Sequence, residues 1–157
     1  MSKYKKERVV VAMSGGVDSS VVACLLKEQG YEVIGITLKL YNSSQKNIQK
    51  KTCCAGQDIY DAKEVARKIN IPHYVLNYEK SFKDKVIDNF VDSYKQGNTP
   101  IPCIQCNEHI KFSELLSTAK GLGANFLATG HYIKTKNIGT EKALFISKDL
   151  DKDQSYF

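Results

Sequence analysis

Long apolar segments are missing from the sequence. No hydrophobic run approaches the length that a membrane-spanning helix needs. The N-terminus is basic, but it lacks the apolar stretch and the small-residue cleavage site that a signal peptide would place there. These absences predict a cytoplasmic protein that has no membrane partner. No internal repeat is found either.

Arginine is scarce, although the chain is basic overall. The 23 basic residues include only two arginines, and the formal net charge is +6. Such an excess suits a nucleic-acid or nucleotide partner, but a lysine-rich, solvated surface is an equally good interpretation. With 157 residues, of which 42% are hydrophobic and 25% charged, the chain is expected to form one soluble globular domain over residues 1–157.

The cysteines provide neither an even set for disulfides nor a complete zinc site. An odd set in a reducing cytosol is more typical of core, catalytic or metal-binding residues. Cys24 falls on the apolar side of a predicted helix and is assigned to the core, while the role of the adjacent pair after the first polar loop is left open. A single CxxC pair makes a structural zinc module a weak hypothesis. The five cysteines are Cys24, Cys53, Cys54, Cys103 and Cys106.

Strand and helix patterns alternate along the chain. Strands are predicted over residues 8–13, 31–40, 72–77, 125–129 and 143–147, and helices over 18–29, 57–69, 82–94 and 107–122. Residues 41–52 are polar and aperiodic, which predicts a loop. The alternation predicts an α/β fold with a doubly wound, mostly parallel sheet and helices on both faces. Ligands of such sheets bind at the carboxyl ends of the strands, where several of the motifs below are expected to converge.

A glycine loop follows the first predicted strand. Residues 14–20 read Ser-Gly-Gly-Val-Asp-Ser-Ser and lead directly into a helix. Glycines let backbone amides approach an anion, and the helix N-terminus favours negative charge. Asp18 cannot bind phosphate directly but can hold a Mg²⁺ ion that bridges phosphates. The loop lacks the Gly-Lys-Ser/Thr ending of a Walker A motif and the spacing of a dinucleotide fingerprint. It therefore predicts a different kind of ATP pyrophosphate site.

A second constellation surrounds the CxxC pair. Residues 99–107 read Thr-Pro-Ile-Pro-Cys-Ile-Gln-Cys-Asn just before a predicted helix. A helix N-terminus lowers the pKa of a thiol and favours the thiolate, so Cys106 is a candidate for catalysis or metal binding rather than a thiol with no role. His131 follows Gly130 at a strand end, where close ligand approach is allowed, and it is also a candidate. His73 and His109 fit an ordinary strand residue and a helix-surface residue.

The glycine loop resembles the pyrophosphate loop (PP-loop) of ATP pyrophosphatases, whose domains have the adenine nucleotide alpha-hydrolase-like fold. Together with the segments 99–112, 128–132 and 152–157, this loop makes the sequence resemble the tRNA-specific 2-thiouridylases over nearly the whole chain. The resemblance implies roles for three sets of residues. Cys106 and Asp18 would be catalytic, and Asp18 would bind Mg²⁺. ATP would contact Ala12, Met13, Ser14, Gly15, Gly16, Val17, Asp18, Ser19, Leu38 and Gly130. The tRNA would contact Ile101, Pro102, Cys103, His131, Lys152, Asp153 and Gln154.

The family resemblance also implies a reaction. ATP would adenylate the 2-oxygen of the wobble uridine of tRNA, and sulfur would then attack the carbon and expel AMP, which splits one difficult substitution into two easier steps. A sulfur-donor protein would deliver the sulfur as a persulfide. In a competing hypothesis, Cys103, Cys106 and a third cysteine hold a [4Fe-4S] cluster with one open iron. Some family members carry Asp in place of Cys103, and many carry Asn in place of Ile101, so the contacts to the base are expected to differ here.

Members of this family continue into further β-rich domains, which normally contain a second catalytic cysteine. The chain is therefore expected to be the PP-loop catalytic domain of a longer protein, able to bind ATP but poor at thiolation alone. Two alternatives stay open: an amide-forming adenylating enzyme of the same superfamily, and a fragment that binds nucleotide or tRNA without catalysis.

Overall fold

Four parallel strands form the central sheet of the computed structural model, which describes residues 6–41 and 56–155. The strands are β1 (Arg8–Ala12), β2 (Glu32–Lys39), β3 (His73–Asn77) and β4 (Phe126–Ala128), in the spatial order β3-β2-β1-β4. The winding direction reverses beside β1, because β2 and β3 lie on one side of it and β4 on the other. Ligands of such sheets bind at this switch point, outside the carboxyl ends of the strands.

Helices cover both faces of the sheet, as the sequence predicts. On one face, α1 (Val17–Glu28) and α2 (Gly56–Lys68) pack against the side chains of Val9, Val11 and Met13. On the other face, α3 (residues 79–95) and α4 (residues 102–121) pack against Val10 and alternate residues of β2. Because β1 is buried on both faces, every residue of its Val9–Val11 run is apolar. The predicted doubly wound α/β fold is confirmed.

The two helices on the second face change their winding along their length. Helix α3 comprises Glu79–Phe82, a π-helical stretch Lys83–Ile87 and Asp88–Lys95. Helix α4 comprises Pro102–Gln105, a π-helical stretch Cys106–Leu115 and Leu116–Gly121. Helix α4 therefore begins five residues before the predicted start at residue 107. Pro102 at its first position explains the difference, since proline presets helical backbone there and needs no amide partner.

The last predicted strand, residues 143–147, does not join the central sheet. Strand β6 (Glu141–Phe145) pairs antiparallel with β5 (Lys134–Ile138), which the sequence did not predict. A hairpin turn with Gly139 at φ 60° joins the two strands. Strand β5 was not predicted because its residues are mostly polar or charged, and all five residues of the strand are exposed.

The predicted loop at residues 41–52 and the Cys53–Cys54 pair lie almost entirely outside the described residues. Within the described ranges, no helix has the length and apolar character needed to span a bilayer.

Candidate nucleotide-binding site

The glycine loop connects β1 to α1 and is held by its own serines. Ser19 is buried, and its hydroxyl donates to the Gly16 carbonyl at 3.2 Å while accepting from the Ser14 amide at 3.1 Å. Ser20 also donates to the Gly16 carbonyl, at 2.8 Å. These bonds fix the loop around the N-terminus of α1, where the positive end of the helix dipole favours an anion.

Two glycines allow neighbouring backbone to approach the loop. Gly15 has φ +83°, and a Cβ built there would lie 2.3 Å from the carbonyl oxygen of Asp58 in α2. A Cβ on Gly130, which follows β4, would lie 3.0 Å from the Ser19 amide nitrogen and 3.1 Å from the Asp18 Cβ. Gly130 therefore packs directly on the first turn of α1, as its position after a neighbouring strand suggests.

The start of the loop is anchored from the neighbouring strand. The buried Thr37 hydroxyl donates to the Met13 carbonyl at 2.8 Å. Its oxygen lies 2.8 Å from Nε2 of His73, and because the hydroxyl proton is already used, His73 must donate through Nε2. Burial, and then the charge of Lys63, lowers the pKa of His73. His73 was expected to be an ordinary strand residue, since nothing in the sequence around it reveals this contact.

A cavity of about 270 Å³ opens at the switch point. It brings together nine residues that the sequence analysis singled out: Ala12, Met13, Ser14, Asp18, Ser19, Leu38, Gly130, His131 and Gln154. Four further lining residues were not predicted: Ile36, Leu40, Lys111 and Thr129. The aliphatic residues come from β2 and its end, so the cavity combines an apolar wall with a phosphate-type loop, as an adenine nucleotide requires.

Asp18 is held by a residue that was not predicted to contribute to the site. The Tyr132 hydroxyl donates to Oδ1 of Asp18 at 2.7 Å, and this bond with the negative carboxylate raises the pKa of Tyr132. Asp18 is exposed at the loop, and its second oxygen remains suited to a magnesium ion. A single carboxylate fits a Mg²⁺ that is bound mainly through nucleotide phosphates and water.

The chain segment after the hairpin folds back onto Tyr132. Gln154 donates from its backbone amide to the Tyr132 carbonyl at 3.1 Å, and the Lys152 ammonium lies 5.6 Å from the Tyr132 ring centroid. Both carboxylate oxygens of Asp153 accept local hydrogen bonds, first from the Ser147 amide and then from Ser155, which lowers the pKa of Asp153. Of the three residues assigned to tRNA here, Lys152 is exposed, whereas Gln154 lines the cavity.

A polar chain links α4 to the end of β4. The Lys111 ammonium donates to Oδ1 of Asn107 at 2.8 Å, and Nδ2 of Asn107 lies 3.4 Å from Nε2 of His131. Lysine can only donate, so it fixes the orientation of the Asn107 amide, and Nε2 of His131 must accept. His131 therefore carries its proton on Nδ1, which lies 2.7 Å from the Thr129 hydroxyl. Burial, followed by the charge of Lys111, lowers the pKa of His131.

The two cysteines of the CxxC pair differ in accessibility. Cys106 is only 8% exposed and packs in the core between the sheet, α3 and α4, whereas Cys103 is exposed. Because α4 begins at Pro102, Cys103 lies in its first turn and Cys106 a turn further in. The predicted start at residue 107 had placed Cys106 at the helix N-terminus, and the observed start at Pro102 corrects this placement.

Other predicted site residues lie away from the cavity lining. Gly15, Gly16 and Val17 belong to the loop itself, while Ile101 and Cys103 are exposed at the start of α4. Pro102 contributes to a separate groove of about 190 Å³ between α3 and α4. In the described part of the chain, no three Cys, His, Asp or Glu side chains are grouped to hold a metal. Among these described residues, no third ligand therefore lies beside Cys103 and Cys106.

The fold and the glycine loop define a doubly wound α/β domain, with its candidate nucleotide cavity at the switch point. Residues 7–157 match the family model described as the tRNA methyl transferase HUP domain, and the chain belongs to this family. It is 60% identical over 153 residues to the tRNA-specific 2-thiouridylase MnmA of Rickettsia rickettsii strain Sheila Smith, and 59% identical over 156 residues to that of Rickettsia bellii strain OSU 85-389. These alignments cover 98% and 99% of this chain, but only 42% of each relative.

Solved structures of two synthetases have a similar fold. NMN synthetase from Francisella tularensis aligns with TM-score 0.50 at 22% identity, covering 78% of this chain and 45% of that one. Glutamine-dependent NAD⁺ synthetase from Acinetobacter baumannii, solved with adenosine diphosphate, aligns with TM-score 0.54 at 16% identity, covering 82% and 22%. At such identities the similarity concerns the fold alone, and it supports the doubly wound α/β architecture.

Proposed function

We propose that the chain is the ATP-binding and base-activating part of a tRNA-specific 2-thiouridylase. One observation supports this most: the cavity at the switch point combines the glycine loop, Asp18 and Gly130 in a chain that is 60% identical to enzymes of that name. In this proposal the loop amides and the N-terminus of α1 bind the pyrophosphate of ATP. Leu38 and its aliphatic neighbours contact the nucleoside.

The reaction joins the 2-oxygen of the wobble uridine to the α-phosphorus of ATP, and pyrophosphate leaves with the electron pair of the broken bond. The outer sulfur of a persulfide supplied by a donor protein then attacks carbon 2, and AMP leaves with the former uracil oxygen. A cysteine thiol next attacks the inner sulfur, so that the sulfur–sulfur bond breaks, the sulfur stays on carbon 2 and the two cysteines end as a disulfide. Mg²⁺ supplies charge neutralisation when bound at Asp18. The loop holds the pyrophosphate so that it departs from a fixed position. The tRNA and the sulfur donor are the macromolecular partners, and the proposed location is the cytoplasm, where tRNA is found.

Cys106 is the proposed nucleophile for the sulfur step. Its burial means that the start of α4 must open, or that tRNA must displace it, before the thiol reaches the base. The exposed residues Ile101 and Cys103 precede it and are proposed to meet the base, with His131 and Lys152 among the further tRNA contacts. A [4Fe-4S] cluster would need a third ligand from outside the described residues, and metal analysis after anaerobic purification tests for it.

The experiment combines the full natural chain with unmodified tRNA, ATP, Mg²⁺ and a persulfide donor. It measures 2-thiouridine by nucleoside mass spectrometry, and pyrophosphate and AMP by chromatography. We expect tRNA-dependent pyrophosphate release from the wild type, and Cys106→Ser to lose 2-thiouridine formation. An amide-forming enzyme would keep its activity in Cys106→Ser. ATP binding without tRNA-dependent pyrophosphate release would instead identify a non-catalytic nucleotide-binding protein.

A further inference from the structure

The described lining of the cavity has little positive charge for a site that is to hold a triphosphate. Its glycine loop contains no lysine, in contrast to a Walker A loop, where lysine neutralises phosphate oxygens. Among the residues that line the cavity, the charged side chains are Asp18 and Lys111. Lys111 is therefore the one formal positive charge that the described lining offers to a nucleotide.

Lys111 reaches this cavity from the side opposite to the loop helix. Helix α1 packs on the face of the sheet that contains Val9 and Val11, whereas α4, which carries Lys111, packs on the face that contains Val10. Both elements meet at the switch point, where Lys111 lines the same cavity as Ser14 and Asp18. A nucleotide with its pyrophosphate on the loop would therefore lie between α1 and α4.

The Lys111 side chain is fixed rather than loosely solvated. Its ammonium donates to Oδ1 of Asn107, a buried residue whose amide is in turn held by His131. An ammonium has three donors and no acceptor, so the bond to Asn107 leaves two donors for phosphate oxygens. A cation that is positioned before its ligand arrives loses less entropy on binding than a mobile surface lysine would.

We propose that Lys111 binds the α-phosphate of ATP and replaces the lysine that the glycine loop lacks. This inference rests on the proposed function. The loop takes the pyrophosphate, so the α-phosphate lies beyond it, towards the helix that also carries Cys106. During adenylation the uracil oxygen bonds to the α-phosphorus and the bond to the bridging oxygen breaks, with the electron pair leaving on pyrophosphate. Lys111 neutralises the charge of the non-bridging oxygens of the α-phosphate in this step, and it remains bound to the same phosphate in AMP afterwards.

The test measures binding of AMP, ATP and adenosine to the full natural chain by calorimetry, and compares Lys111→Gln with Lys111→Arg. Glutamine removes the charge but keeps a donor for Asn107, whereas arginine keeps the charge. We expect Lys111→Gln to weaken AMP and ATP binding by about tenfold or more, as for loss of a charge-assisted hydrogen bond, and to leave adenosine binding unchanged. Lys111→Arg should retain more of the AMP affinity.

Lys120→Gln is the matched control, because Lys120 is an exposed lysine near the end of the same helix and outside the cavity. It should bind all three ligands like the wild type. Equal AMP binding by Lys111→Gln and wild type would overturn the inference while leaving the proposed function intact, and so would a parallel loss of adenosine binding, which indicates a structural role. Wild-type protein that binds no ATP would overturn the proposed function itself.

Discussion

The hydroxyl of Tyr132 donates a 2.7 Å hydrogen bond to the carboxylate of Asp18 across 114 positions of sequence. Tyr132 is also paired through its backbone with Gln154, and its ring lies beside the Lys152 ammonium. The residue proposed to hold magnesium is thus connected, through one tyrosine, to the segment proposed to touch tRNA. Movement of that segment on tRNA binding would be transmitted to Asp18.

Removing this hydroxyl is expected to affect magnesium dependence. In Tyr132→Phe, Asp18 loses the bond that orients its carboxylate, so the Mg²⁺ concentration needed for half-maximal ATP binding should rise a few-fold. Binding of ATP without Mg²⁺ should change much less. The measurement is a Mg²⁺ titration of ATP binding by calorimetry. Tyr94→Phe, which alters an exposed tyrosine on α3, should behave like the wild type. An unchanged Mg²⁺ requirement in Tyr132→Phe would show that the bond does not position Asp18.

Gly15 and Gly30 form a natural pair for testing the phosphate loop. Both have φ near +90°, so alanine at either position is strained by about 1–2 kcal/mol. A Cβ at Gly15 would in addition overlap the Asp58 carbonyl, whereas a Cβ at Gly30 would meet nothing within 4 Å. Gly15→Ala should therefore lower the free energy of unfolding in urea by more than Gly30→Ala does.

ATP affinity separates the same two variants further. Gly15→Ala must displace the loop or α2 and should reduce ATP affinity, but Gly30→Ala, at the far end of α1, should not. Equal unfolding free energies and equal ATP affinities for the two variants would contradict the close contact between the loop and α2.

Short-range patterns were sufficient to predict the four parallel strands and the helices around them. The Val9–Val11 run is buried, and so are Phe82 and Val86 among the helically spaced apolar residues of 82–94, although Val91 and Tyr94 in the same pattern are exposed. The hairpin was only half predicted, because its strands bury little surface and β5 has no alternating apolar face. The start of α4 was placed too late because Pro102 was expected to precede the helix and not to be its first residue.

The grouping of residues around the candidate cavity was predicted as far as they form contiguous motifs. The loop from Ser14 to Ser19 and the Gly130–His131 pair could be located from residue type and from neighbouring strands. The contributions of Lys111 and Tyr132 could not, because each depends on which face of a distant element turns towards the loop. The burial of Cys106 could not be predicted from the sequence either, since a CxxC pair has the same spacing whether its thiols face solvent or the core.

The two thiols of the CxxC pair should react at different rates. Cys103 is exposed in the first turn of α4, and Cys106 is only 8% exposed, so iodoacetamide should alkylate Cys103 faster, on the order of tenfold or more. The rates can be measured by mass spectrometry of the corresponding peptides after timed quenching. In urea, where burial is lost, the two rates should converge. Equal rates in the native protein would mean that the start of α4 opens readily without tRNA.

The protonation of His131 provides a test of the Lys111–Asn107–His131 chain. Burial, and then the charge of Lys111, lowers the pKa of this imidazole below its ordinary value of about 6.5, so His131 is neutral at pH 7. Between that value and the lower folded-state pKa, the unfolded chain binds a proton that the folded chain does not. His131 should therefore make the protein less stable as the pH falls through this window, and its contribution should level off below the folded-state pKa.

NMR titration of the histidine Cε1–H signals measures the pKa values directly, and Lys111→Gln separates their two causes. With the Lys111 charge removed, the pKa of His131 should rise but stay below the ordinary value, because burial still opposes protonation. His73 is the internal control: its pKa is lowered by burial and then by Lys63, so the pKa of His73 should not change in Lys111→Gln.

A His131 pKa at or above 6.5 in the wild type, or a His131 pKa that is the same in Lys111→Gln as in the wild type, would contradict the geometry of this polar chain. A rise confined to His131 would place the Lys111 ammonium beside the imidazole in solution, on the cavity wall from which it is proposed to bind phosphate.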